Sequence, residues 1–84
     1  MTWTENVPRD TDHYWPSIHA SQQRKHRNIE WIVVAETIKH GEIKKSHKDD
    51  CCLFVHDLRD TDEPVGVVAN YETGEILTVE WRRE

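Results

Sequence analysis

The chain has no apolar run approaching the roughly 18 residues that a helix needs to cross a bilayer. Its first 20 residues also lack the basic start and apolar stretch of a secretory signal. A membrane partner is therefore not expected, and the expected location is the cytoplasm. Cysteine is nearly absent too: the only two are neighbours, Cys51 and Cys52. Adjacent side chains on a strand point to opposite faces, so a disulfide between them would be strained. No CxxC or HxxxH spacing joins Cys51 or Cys52 to His47 or His56, which argues against a zinc site, and neither a metal nor a cofactor is expected. A thiol nucleophile fails on distance, since Cys52 and His56 are about 13 Å apart at strand rise.

What is present is a mixture: 36% hydrophobic residues, 32% charged residues and four tryptophans in 84 positions. Such a chain is too apolar for full disorder, yet a domain this short buries only about 60% of its unfolded surface. One small domain is expected. The net charge of −5 is unevenly spread. Residues 1–14 carry −2, residues 15–47 carry +3 and residues 48–84 carry −6. Four of the six histidines, His19, His26, His40 and His47, also lie in the basic segment. An acidic chain is a poor general binder of nucleic acid, so any anion-facing surface belongs to this segment.

Residues 1–14 show no period and are rich in turn-forming residues, which predicts a flexible leader with Trp3 and Val7 able to fold back. Ser17 is a good N-cap, and the helix formers after it predict a first helix over 17–27, with a narrow apolar stripe and a basic outer face. Asn28 suits a left-handed helix end, and Ile29, Val33, Val34, Thr37 and Ile38 predict a second helix over 30–40, stopped by Gly41. The period then falls to two. Strands are expected at 42–48, 51–56, 64–71 and 76–81, with Gly74 turning the last hairpin at positive φ. The predicted fold is α+β, two N-terminal helices on a three- to four-stranded antiparallel sheet, with Val34, Ile38, Leu53, Val67 and Val79 in the core.

The order His19-Ala20, Arg24, Arg27-Asn28-Ile29, Gly41-Glu42-Ile43 and Leu77-Thr78-Val79-Glu80-Trp81 resembles the domain-of-unknown-function family 4258, grouped with the RelE/ParE/BrnT-like toxins. The likeness spans roughly residues 17–82, with Asn28 in place of the family's turn glycine and Glu30 in place of its usual cap. It implies a RelE-like fold, a toxin-type ribonuclease without a metal, RNA as substrate and a protein antitoxin as partner. Fold likeness does not carry an activity, so a non-catalytic protein-interaction module of the same fold stands beside it, binding through the sheet edge or the first helix.

A metal-independent ribonuclease needs a proton acceptor, a proton donor and cations on the phosphate. The family-matched candidates are His19 and Arg24. His19 reads either as a proton-transfer group or as a helix residue bonded to its neighbours; Arg24 reads either as a phosphate contact or as an ordinary surface cation. Lys45, His47, Trp81, Arg82 and Arg83 are the candidates for RNA binding, because an aromatic beside cations can stack on a base and hold its phosphate. The competing reading of Trp81 is a core or sheet-edge aromatic.

Overall fold

The computed structural model describes residues 3–46, 48–57 and 63–82. Strand β1 (Trp15–Pro16) leads into helix α1 (Ile18–His26) and helix α2 (Trp31–His40), followed by β2 (Glu42–Lys45), β3 (Cys51–His56), β4 (Val65–Asn70) and β5 (Glu75–Trp81). The sheet runs in the order β1-β5-β4-β3-β2. Four strands are antiparallel and sequential as expected, but the sheet has five strands and is mixed, because β1 pairs parallel with β5. Two residues are too few to show a period. Backbone bonds from Trp15 N–H to Gly74 and from Ser17 N–H to Ile76 fix them on the edge, where a proline without an N–H is tolerated.

Local chemistry sets the helix ends. Ser17 Oγ accepts from the Ala20 amide and caps α1. At the other end Asn28 takes φ 56°, Ile29 N–H reaches the Arg24 carbonyl and Asn28 N–H reaches that of Lys25. This is the paired bonding of a Schellman motif, with asparagine supplying the left-handed residue. Gly41 ends α2 differently from expectation, at φ −69° rather than in the left-handed region. A side chain there would collide with the Thr37 and Val55 carbonyl oxygens, so close approach is the reason for glycine. Gly74 does have positive φ, 85°, and the His13 carbonyl occupies the space beside it.

Both helices pack on one face of the sheet. Val34, Ile38, Val67 and Val79 are buried as the alternation predicts, but Leu53 is not among the buried residues. Cys52 and Phe54 point inward in its place, since both faces of β3 are apolar and periodicity could not choose between them. In β5 the pairing of Ala69 with Ile76 and of Val68 with Thr78 leaves Leu77 unopposed. That bulge lets Ile76 and Val79, three apart, share the core face.

Parts of the leader fold back onto the domain, as the sequence allows for Val7. Val7 and Tyr14 are buried, and the Tyr14 ring meets Phe54 edge-on at 5.8 Å while its hydroxyl donates to the Pro8 carbonyl. Arg9 donates to the carbonyls of Ile38, Lys39 and Gly41, closing the C-terminal end of α2 with a cation where the helix dipole is negative. The contacts to Phe54 and to the end of α2 are long-range, so local composition does not foretell them.

Phe54→Ala is expected to cost about 3–5 kcal/mol and Leu53→Ala less than about 2 kcal/mol, read by urea denaturation. Equal losses would mean that the inward face of β3 is misassigned. Arg9→Ala is expected to cost about 1 kcal/mol in the same measurement, through loss of the α2 end contacts.

Candidate functional site

The outer edge of β5 is covered by β1 only as far as Ile76. Beyond it, α1 lies along the strand and supplies side chains in place of a neighbouring backbone. Gln23 Oε1 accepts from the Val79 amide at 3.1 Å, and Arg27 Nη1 donates to the Val79 carbonyl at 2.7 Å. The Trp81 indole N–H donates to the Arg27 carbonyl at 2.9 Å. His19, Gln23 and Arg27 are four apart and form one row along the helix.

The row fixes the state of His19. A backbone amide can only donate, so the Gln23 carbonyl oxygen faces Val79 and its NH₂ group faces His19, 2.9 Å from Nε2. His19 Nε2 is therefore an acceptor and its N–H lies at Nδ1, which leaves the ring without a spare lone pair for a general base. Its exposed position leaves Nδ1–H open to solvent or a ligand.

Arg24 is directed elsewhere. Its guanidinium donates to the Ile29 carbonyl while its own carbonyl accepts from the Ile29 amide, so one residue clamps both backbone groups of the turn between the helices. His19 lines an open cleft of about 400 Å³ with Gln22, Gln23, His26 and Arg27. Arg24 lines a separate one of about 280 Å³ with Lys25, Asn28, Ile29 and Glu30. The two candidate catalytic residues do not meet.

The residues expected to bind RNA are also dispersed. Trp81 is half-buried against the core and committed to Arg27. Arg82 pairs with Glu80 at 3.1 Å, and its stem fills the space beside Gly66. Lys45 is exposed on β2, in the row that passes through Cys52 and Ala69 to Ile76. Three strand spacings and five residues of rise therefore separate it from Trp81, roughly 14 Å across the sheet and roughly 16 Å along it. His47 and Arg83 lie outside the described residues.

Sequence reading missed Gln23 altogether and took Arg27 only as part of a motif. The signal was the spacing His19-Gln23-Arg27, but only the structure shows that a bare strand edge lies opposite. It also brings together His40 and His56, whose ring centres are 6.3 Å apart, with Glu36 3.5 Å from His40. Among the described residues no three His, Cys, Asp or Glu side chains are grouped to hold a metal ion, and no helix is long and apolar enough to cross a membrane.

The thiols are set by burial. Desolvation pushes Cys52 up to about 12, with the neighbouring Cys51 adding to the shift and Arg9 opposing it. Cys51 is raised by burial as well, against the pull of Lys48. Burial likewise raises the Tyr14 hydroxyl. Nucleophilic cysteines need a lowered value, so neither thiol is poised for catalysis.

Both cysteines should resist iodoacetamide at pH 8 in the folded protein and react fully in guanidinium, as followed by mass spectrometry. Below pH 9 the Cys52 thiol is protonated in both states and its contribution to stability is complete. As pH rises from about 9 toward 12, the unfolded chain releases a proton that the folded chain keeps, so stability is expected to fall across that window. Denaturation midpoints that stay level through it would contradict the burial of Cys52.

The chain matches no protein-family model, and neither a curated protein nor a solved structure matches it significantly.

Proposed function

We propose that the protein is a non-catalytic protein-interaction domain of RelE-like architecture, acting in the cytoplasm and meeting its partner on the outer face of α1. The observation that carries this reading is the commitment of the His19-Gln23-Arg27 row to the edge of β5. Residues so engaged serve the scaffold, and Arg24 serves the helix turn. The face left outward has an anchor and a charge. Ile18 is 80% exposed and the preceding Trp15 is 49% exposed, and beside Ile18 the helix shows Lys25 and His26, with no carboxylate anywhere in α1. A protein partner with acidic residues around an apolar contact fits that combination, since aromatic and aliphatic anchors ringed by polar groups are what interfaces use.

A toxin-type ribonuclease restrained by an antitoxin is the second reading. It is favoured by the cleft that collects His19, His26 and Arg27, two imidazoles and a guanidinium on the basic half of the chain. In that reading the phosphate would lie along α1, and Arg24, Lys45, Trp81 and Arg82 would add little to its binding.

A photo-crosslinking amino acid at Gln22, in cells expressing the protein, distinguishes the two. The interaction reading expects a discrete protein adduct at position 22, none with the same probe at Glu72 in the β4–β5 turn, and intact total RNA on induction. Growth arrest with RNA cleavage that His19→Ala abolishes, in a variant that remains folded, would overturn it in favour of the ribonuclease.

A further inference from the structure

The two edges of the sheet are treated differently. The β5 edge is covered by β1 and then by the α1 side chains, whereas no strand among the described residues pairs with the outer side of β2. An uncovered edge presents free N–H and C=O groups to any strand that can match its side chains.

Glu42-Ile43-Lys44 matches itself. In a symmetric antiparallel pair with the two-fold axis normal to the sheet, opposing residues lie on the same face, so their alternation must agree. Centring the axis on Ile43 meets that condition. It sets Ile43 against its own copy on the helix side of the sheet, where this half-buried side chain already packs against the core cluster. On the opposite face Glu42 of each copy then stands across from Lys44 of the other, twice over. Moving the axis onto Lys44 would bring two lysines together, which disfavours that register. The Gly41 carbonyl is already taken by Arg9, so the matched segment stops at Glu42 on that side.

We propose that β2 is a homodimerisation edge, joining two copies through antiparallel pairing centred on Ile43 into one continuous ten-stranded sheet with all four helices on the same face. Edge lysines usually keep strands apart, but here each Lys44 has a carboxylate opposite it. Three matched residues make a small interface, so the dimer is weak and concentration-dependent. This proposal stands apart from the α1 reading and uses a different surface.

Sedimentation equilibrium from about 10 μM to about 1 mM, the range in which so small an interface is expected to assemble, tests it on the full chain. The wild type is expected to dimerise across that range. Glu42→Lys and Lys44→Glu, which each set like charges opposite one another, should weaken association by at least about tenfold. The double variant Glu42→Lys/Lys44→Glu restores both pairs and should recover it. Circular dichroism checks that each variant is folded. A mixed sample of labelled and unlabelled wild-type chains provides a readout without substitutions: a filtered NOE between Ile43 methyl groups of the two copies is expected. A protein that stays monomeric to 1 mM, a dimer indifferent to the single reversals, a double variant that does not recover, or an absent Ile43 contact would each overturn the proposal.

Discussion

A strand edge has to satisfy its outward amides and carbonyls, and in this protein the edge of β5 is finished by a helix rather than by another strand. β1 is only two residues long, so Val79 would be left bare if Gln23 and Arg27 did not bond its N–H and C=O. Much else follows from that arrangement. It aligns α1 with β5 and brings the Arg27 carbonyl to the Trp81 indole. The helix direction in turn places the Asn28 turn, from which α2 crosses β4 and β3 and buries Val34 and Ile38 beneath it. The Leu77 bulge belongs to the same solution, since it brings Val79 to the core face alongside Ile76.

The constraint bears directly on function. A histidine on an exposed helix beside glutamine and arginine has the composition of an acid–base site. Its nitrogen, however, accepts from a glutamine whose orientation a backbone amide dictates, so the lone pair that proton abstraction requires is already used. Three of the cations that could hold a phosphate are similarly occupied: Arg24 at Ile29, Arg27 at Val79 and Arg82 at Glu80. These engagements are what support the proposal that the outward part of α1 is a contact surface.

Much of the fold was legible from sequence because local signals agreed. Ser17, Asn28 and Gly74 occupy the cap and turn positions that their side chains or lack of one predict, and both helices lie within a residue or so of their expected bounds. What sequence left open was decided beyond the local signals. Arg9 closes a helix some thirty residues away in the chain, β1 exists only because β5 lies beside it, and Leu53 yields to Phe54 because either face of β3 was apolar enough to be buried. The site was less legible still. Residue types suited to a ribonuclease are present, but His19 and Arg24 lie 140° apart in helical projection, at 100° per residue over five residues. Lys45 and Arg82 are at opposite corners of the sheet.

The tautomer of His19 tests the account most directly. A long-range ¹H–¹⁵N spectrum of the imidazoles, taken at a pH where His19 is neutral, reads which nitrogen carries the proton. The row His19-Gln23-Val79 requires the proton on Nδ1 and a bare, hydrogen-bonded Nε2. A proton on Nε2 would mean that Gln23 does not donate to His19, that the row is not closed as described, and that the ring keeps a lone pair free to act as a base.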